Sequence, residues 1–318
     1  MSTTIVTQIK ASEGSEPTEI IIDDFKVTDI PNAMDRNGWT ISARFMRKWL
    51  NEPEYVLPRK AKIGNIPPSA LPKNALVTDL PFEWLLTSST RIKPRVDELL
   101  ASLGSVNNVN PYIGHTKEFR NQLSKGLVQF LRRLSRLGYV DEHTRCLKDT
   151  YADFSDLSAI ELEEKSQFNF IPIGSTNIEK LTDDLDDVYG ALGNFTIKMA
   201  ATRFRITSNY QGFARIEIDE IGLYVRDTYD FINDDGDDQF LGYWNHSGPY
   251  KYGASAKLDS IFSDNKTYLK ATNNSFNAYR KKTGKGCDFI VFSTVQKHPT
   301  SIAIYLNDND IKEYIDRK

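Results

Sequence analysis

The sequence predicts an α+β fold: a mainly helical region over residues 30–190, followed by a mainly antiparallel, half-barrel-like β domain over residues 191–318. Three observations predict this class. Apolar residues recur at helical spacing before residue 190. After Gly193, short runs rich in β-branched and aromatic residues are separated by turn residues. Helical and strand patterns occupy separate stretches of the chain, whereas a parallel sheet requires them to alternate.

Residues 1–29 are predicted to form a flexible leader, because the segment is rich in Ser, Thr and Glu. Its first part contains a single basic residue, Lys10, and no apolar stretch, which excludes a secretory signal peptide. We therefore expect the protein to be cytoplasmic in the cell that produces it. Activity outside that cell would require delivery by a signal-independent machine.

The charge balance argues against a nucleic-acid partner. Lys and Arg number 40 and Asp and Glu number 43, so the net charge is -3, whereas nucleic-acid binders normally carry an excess of basic residues. The 2 cysteines are too few for a disulfide framework or for a zinc site made of several thiolates.

The helical region begins with apolar residues at helical spacing over residues 39–50, and Pro53 ends that segment. Short helices are expected near residues 81–87 and 94–103. The clearest helix covers residues 116–137 and ends at Gly138, the residue type that favours a helix C-cap. Its apolar stripe contains Phe119, Leu123, Leu127, Phe130, Leu131, Leu134 and Leu137. A further helix is predicted over residues 177–192.

The opposite face of the 116–137 helix is basic. It carries Lys117, Arg120, Lys125, Arg132, Arg133 and Arg136. The favoured interpretation is a solvated helix face. The alternative is contact with an anionic lipid surface.

Strand patterns follow Gly193. They cover residues 195–200, 204–207, 214–218, 221–225, 289–295 and 302–306. A short helix is predicted at 275–282 and another at 310–316.

The segment from Ile221 carries the first candidate site. If the chain is extended there, Ile221, Leu223 and Val225 share a face with Asp227 and Tyr229. An apolar core face then ends in a carboxylate and a phenol, and an unpaired buried charge is unfavourable. Either Asp227 lies at a strand end, with a turn or capping role, or it belongs to a cleft.

More carboxylates follow: Asp230 comes next, and then the sequence Asn-Asp-Asp-Gly-Asp-Asp over residues 233–238. Oxygen-rich clusters suit hard cations such as Mg²⁺ or Ca²⁺. The favoured interpretation of 233–238 is a solvated turn, with Gly236 free to take a positive φ. The spacing excludes an EF-hand.

The second candidate segment is basic and rich in glycine. Arg280 and Lys282 lie at a predicted helix end, and Lys285 lies between Gly284 and Gly286. The favoured interpretation is a helix C-terminus with a glycine cap. The functional alternative is a phosphate cradle of backbone amides, Lys and Arg. A third candidate, His246, is either an ordinary surface histidine or an acid/base group.

Several sequence blocks resemble an uncharacterised bacterial family whose members lie near type VI secretion genes. The blocks are IPNAMDRNGW with SARFMRKWL, ALGNFTIKMAA, VRDTYDF with FLGYWN, and YRKKTGKGCDFIVFSTV. The resemblance covers most of the chain. It implies a partner in a secretion system and, for a toxin, a cognate immunity protein.

The run Asp227-Thr228-Tyr229-Asp230 is similar to the Asp-x-Tyr-Asp core of the colicin M family. Those toxins cleave the bond between undecaprenol and the pyrophosphate of lipid II with Mg²⁺. The resemblance implies that Asp227, Tyr229 and Asp230 are catalytic and that Asp227 and Asp230 bind Mg²⁺. The family continues with five residues and then His-Arg, where this chain has Gly236 and Asp237. His246 would then be the acid/base histidine.

These observations support three hypotheses. The first is a bacterial antagonism effector that hydrolyses a lipid-linked peptidoglycan precursor in the target-cell periplasm, with Arg280, Lys282 and Lys285 binding the pyrophosphate. The second is a non-enzymatic adaptor or binding module of a secretion system. The third is a metal-dependent phosphodiesterase that acts on nucleotides, and the near-neutral charge disfavours a polymeric nucleic acid as its substrate.

Overall fold

The structure of the protein is a computed structural model that describes residues 24–104, 117–174, 185–210, 213–233, 236–250 and 268–316. Most of the predicted leader lies outside these residues, as do residues 177–184 of a predicted helix and residues 234–235 of the acidic segment. Side chains are described from residue 126 onward in the long basic helix.

Helices and strands both contribute substantially, which confirms the α+β class. The α-helices are α1 Ile30–Arg36, α2 Thr40–Asn51, α3 Arg59–Lys62, α4 Phe82–Ser88, α5 Ile92–Gly104, α6 Lys117–Arg136, α7 Ala159–Lys165, α8 Asp187–Leu192, α9 Asn273–Thr283 and α10 Asp308–Asp316. The strands are β1 Leu76–Leu80, β2 Thr150–Asp153, β3 Gln167–Ile173, β4 Phe195–Tyr210, β5 Phe213–Tyr229, β6 Phe240–Asn245, β7 Gly248–Tyr250, β8 Leu269–Thr272, β9 Phe289–Ser293 and β10 Gln296–Leu306. No helix in the described ranges is long and apolar enough to cross a lipid bilayer.

The chain forms two compact units, each built from two segments. The first unit combines Met1–Val56 with Asp230–Asp288, and the second combines Leu57–Tyr229 with Phe289–Lys318. The boundary predicted near residue 190 falls inside the second unit. The reason is that β2 and β3, which precede that boundary, pair with β4, which follows it.

The sheet of the second unit is curled into a half-barrel and is mainly antiparallel, as predicted. Its strands run in the order β1-β9-β5-β4-β2, with β10 pairing with β5 and β3 with β4. The pair β1–β9 is parallel. The sequence pattern suggested two strands where the structure has one continuous β5 of 17 residues. Register shifts in its pairing with β4 accommodate the polar residues at its centre.

Helix α6 confirms the centre of the apolar stripe, while Leu127 and Leu137 are only half-buried. Phe130, Leu131 and Leu134 are all fully buried, and the Phe130 ring lies 5.6 Å from that of Phe204 on β4. Gly138 has φ 81°, the left-handed conformation expected of a C-cap glycine.

The basic face of α6 is not uniformly solvated. Arg133 is half-buried, and it donates from Nε to the carbonyl oxygen of Glu163 at 2.9 Å and from Nη1 to that of Gln167 at 2.9 Å. These carbonyls lie at the end of α7 and just after it, where a cation stabilises the helix C-terminus. Burial lowers the pKa of Arg133, opposed by the charge of Glu163. Arg133 therefore ties α6 to α7, while Arg136 is exposed as predicted.

The first unit contains α1, α2, α9 and a three-stranded antiparallel sheet in the order β7-β6-β8. Its apolar centre is Trp49 on α2, which is fully buried. The Trp49 ring lies 4.8 Å from Phe231 and 5.5 Å from Phe276, both edge-to-face. Such contacts join the two chain segments of this unit into one core.

Candidate functional site

Asp227 and Tyr229 lie near the end of β5 in the second unit, as the alternation predicted. Ile221, Leu223 and Val225 are fully buried, Asp227 is half-buried, and Tyr229 is 7% exposed. The Tyr229 ring stacks on Phe289 with centroids 4.9 Å apart. Burial raises the pKa of the Tyr229 phenol far above its ordinary value, so the group stays neutral. Tyr229 therefore has the environment of a core residue.

Asp230 belongs to the first unit, where it forms a local turn. Its Oδ1 accepts a hydrogen bond from the Ile232 backbone N–H at 3.1 Å, the pattern of an Asx turn. Gly236 has φ 88°, and Asp238 accepts from the Asn274 N–H at 2.9 Å near the start of α9. The described part of the acidic segment therefore has the geometry of a turn, the interpretation favoured from sequence, and Asp238 in addition contacts the N-terminus of α9, which the sequence did not predict.

Arg280 has a partner inside the first unit. It is 4% exposed, and its guanidinium pairs with the carboxylate of the fully buried Asp288. Trp49 Nε1 donates to the same carboxylate at 2.9 Å, and the Arg280 guanidinium lies over the Trp49 ring at 5.0 Å. The predicted phosphate-binding role of Arg280 is thus replaced by a structural one, because its charge is neutralised in the core.

The predicted phosphate cradle is not formed by the Gly-Lys-Gly backbone, because its amides already have acceptors. The Gly284 N–H donates to the Arg280 carbonyl at 2.9 Å. The Lys285 N–H donates to Thr283 Oγ1 at 3.2 Å, and the Gly286 N–H to the Glu52 carbonyl at 3.1 Å. Gly284 has φ 66° and caps α9, which confirms the helix-cap interpretation. The Lys285 side chain and that of Lys282 are exposed.

His246 is an exposed residue that follows β6. Its Nδ1 lies 3.4 Å from Nη1 of Arg36, and its ring lies 5.1 Å from that of Phe25. These surroundings are those of an ordinary surface histidine, which was one of the two interpretations of His246 from the sequence.

The predicted catalytic set draws on both units. Asp227 and Tyr229 come from the second unit, while Asp230, His246, Lys282 and Lys285 come from the first. Within the described ranges, no group of three or more His, Cys, Asp and Glu residues is placed to hold a metal ion. Assembly of this set and Mg²⁺ binding by Asp227 and Asp230 remain predictions.

Sequence reasoning missed a surface on strands β2, β4, β5 and β10 of the second unit, which we call the Tyr–Arg face. It consists of Tyr151, Asp153, Arg203, Arg205, Thr207, Tyr210, Phe213, Arg215, Glu217, Pro299, Ala303 and Tyr305. Period-2 alternation could have revealed it. Between these residues lie Phe204, Ile206, Ile216 and Ile218, which point to the core and are at most 2% exposed.

Aromatic rings and guanidinium groups interleave on the Tyr–Arg face. The Cζ atom of Arg215 lies 4.6 Å from the Tyr210 ring centroid and 5.8 Å from that of Tyr305, and Arg205 Cζ lies 5.6 Å from the Tyr151 ring. Tyr151 is 56% exposed, Phe213 43% and Tyr210 37%. Large apolar side chains are thus concentrated in solvent on one sheet surface.

A buried polar cluster, also missed, surrounds Glu163 on α7. Its Oε1 lies 2.5 Å from Lys198 Nζ and 3.7 Å from Arg226 Nε, and its Oε2 accepts from the Tyr224 hydroxyl at 2.7 Å. Burial alone would raise the pKa of Glu163, but the charge and hydrogen bond of Lys198, with Tyr224 and Arg226, leave it below its ordinary value. Burial lowers the pKa of Lys198, opposed by Glu163. The ionised Glu163 therefore holds α7 against β4 and β5.

The model of the DUF6402 family, a family of unknown function, matches residues 25–307. No curated protein and no solved structure matches the chain.

Proposed function

The chain belongs to the DUF6402 family, and we propose that it is a non-enzymatic binding module that engages a protein through the Tyr–Arg face. The observation that carries the proposal is the exposure of Tyr151, Tyr210 and Phe213 together on one sheet surface. Solvated aromatic groups of this size are unfavourable unless a partner covers them.

The composition of the face supports a protein partner. Tyr and Arg are enriched among the residues that dominate protein–protein binding energy. Arg215 is held between Tyr210 and Tyr305, so binding would require little further ordering of these side chains. The face carries three arginines and two carboxylates, a near-balance of charge that disfavours nucleic acid.

The surroundings of the other candidates also support a binding module over an enzyme. Tyr229 is a neutral core residue, Arg280 is neutralised by Asp288, and the Gly284–Gly286 amides have acceptors. These environments do not suit catalysis, because a catalytic acid or base must reach the reacting atom in the right protonation state.

A photo-cross-linking amino acid tests the proposal in living cells that express the protein. Placed at Tyr151, it should give a protein adduct after irradiation, because that side chain lies within the contact. Placed at Ile63, which is 63% exposed and lies away from the Tyr–Arg face in the same unit, it should give no such adduct. Equal adducts at both positions, or none at Tyr151, would contradict the proposal.

A second candidate function is hydrolysis of a lipid-linked pyrophosphate, and Asp227 favours it. Asp227 is a half-buried carboxylate next to the buried residues of β5, and a positioned carboxylate is the kind of group that can act as a general base or nucleophile. On this second function, periplasmic expression of the wild type lyses cells, and Asp227→Asn abolishes lysis with an unchanged melting temperature. The exposed Asp97→Asn change is the control, and lysis by Asp227→Asn would refute this function.

A further inference from the structure

We propose that the Tyr–Arg face binds a second copy of the same chain, forming a two-fold dimer with the two sheet faces packed together. This inference rests on the proposed function and names the partner of that surface. It follows from the strand register, which arranges charges and side-chain sizes across the face in a self-complementary order.

The register places the residues of the face in rows that cross the strands in the order β2, β4, β5, β10. One row contains Tyr151, Arg205, Glu217 and Ala303. A neighbouring row places Asp153, Arg203 and Pro299 on the face, while its β5 member, Glu220, is buried and accepts a hydrogen bond from Thr202. In the first row the arginine is on β4 and the glutamate on β5, so a basic position of the β4 column lies beside an acidic position of the β5 column.

A two-fold axis that runs along the strands between β4 and β5 exchanges these two columns. Sheets that pack face to face lie about 10 Å apart, a distance that long side chains span from both sides. Under this operation Arg205 of one copy faces Glu217 of the other. Every such contact occurs twice, as the isologous interface of a two-fold dimer requires.

Side-chain sizes match under the same operation. The outer ends of the first row exchange, so the exposed Tyr151 ring faces the small side chain of Ala303. In the next row Arg215 pairs with Thr207 on β4, so Arg215 faces Thr207 of the other copy and not a second arginine. Large groups thus meet small ones, and no two like charges face each other among these pairs.

Charge balance favours a second copy over a strongly charged partner. On the face, Arg203, Arg205 and Arg215 contribute three positive charges, and Asp153 and Glu217 contribute two negative ones. A strongly acidic or basic protein would place like charges against half of the face. A copy of the chain supplies the complementary order without any change in sequence.

The first test is the mass of the purified full chain, measured by sedimentation equilibrium. We expect a species of twice 36.2 kDa that dissociates on dilution. Arg205→Glu places a carboxylate against Glu217 of the other copy, and Glu217→Arg places a guanidinium against Arg205. Each variant should raise the dimer dissociation constant at least ~100-fold, because like charges across an interface are strongly unfavourable. Lys93→Glu, an exposed change on α5, should leave the dimer intact.

The deciding experiment mixes the two single variants. In a mixed dimer the new carboxylate on β4 of one copy faces the new guanidinium on β5 of the other. The unchanged Glu217 of the first copy faces the unchanged Arg205 of the second, so every pair is again of opposite sign. Mixing Arg205→Glu with Glu217→Arg should therefore restore a species of two chains, an outcome that an effect within one chain cannot produce. Circular dichroism of each variant alone should show an unchanged fold.

A monomeric wild type, or variants that fail to recover on mixing, would overturn the dimer. The proposed function would survive that result if the cross-linker at Tyr151 formed an adduct with a different protein. The proposed function would fail together with the dimer if the cross-linker at Tyr151 formed no adduct.

Discussion

Replacing Asp288 with alanine is expected to destabilise the first unit by about 3–5 kcal/mol, the effect of removing one partner of a buried ion pair. The change leaves the Arg280 guanidinium and the Trp49 Nε1–H in the core without the carboxylate that pairs with both. Urea denaturation followed by tryptophan fluorescence measures the loss, because Trp49 itself reports on this core.

The double change Asp288→Ala with Arg280→Met should be less destabilising than the sum of the two single changes. Removing both charges leaves no buried charge unpaired, and the coupling energy of the cycle isolates their interaction. Asp97→Ala removes an exposed pair on α5 and should change stability by less than ~1 kcal/mol. An Asp288→Ala protein as stable as the wild type would show that the pair contributes nothing.

Replacing Glu163 with alanine is the second change with a large expected effect, again about 3–5 kcal/mol. Lys198 and Arg226, which are 17% and 11% exposed, would lose their common counter-charge, and the Tyr224 hydroxyl would lose its acceptor. Arg226 also donates to the carbonyls of Ala61 and Lys62, so we expect α3 and α7 both to loosen. Hydrogen exchange of the α7 amides measures this directly.

The Glu163 contribution should also depend on pH. The folded-state pKa of this carboxyl is below its ordinary value of 4.5, so its stabilisation is fully present above pH 4.5 and is lost as the pH falls through the lowered pKa. The stability difference between wild type and Glu163→Gln should therefore shrink in acid. Glu98→Ala, which removes an exposed pair on α5, is the matched control. A difference that is constant with pH would contradict the assigned charge state.

Local patterns were sufficient for several elements. The stripe of α6 predicted its buried face, Gly138 and Gly284 predicted helix ends, and the alternation on β5 placed Asp227 beyond a buried row. In each case the signal lies within a few residues of the feature, since helix and strand periods are short-range properties. Strands β1, β2 and β3 were missed because they lie between helices, in the stretch whose pattern is otherwise helical.

The candidate sites show the limit of such patterns. Arg280 and Lys285 looked alike in sequence, yet the fold buries Arg280 against Asp288 and leaves the Lys285 side chain exposed. Tyr229 and Asp230 are neighbours in the chain but belong to different compact units. A motif read as one chemical group can therefore have its members in separate environments, because burial is decided by what packs on each side chain.

The sequence by itself determined the α+β class, the amphipathic α6, the glycine-capped helix ends and the polar character of the acidic turn. The tertiary structure alone decided which charges meet. Trp49 and Asp288 are 239 positions apart, Glu163 and Lys198 are 35 apart, and Glu163 and Tyr224 are 61 apart. The rows of the Tyr–Arg face likewise exist only in the pairing of β2, β4, β5 and β10. The physical reason is that helix and turn preferences act over one or two turns of chain, whereas partners across a sheet or core are chosen by strand register and packing.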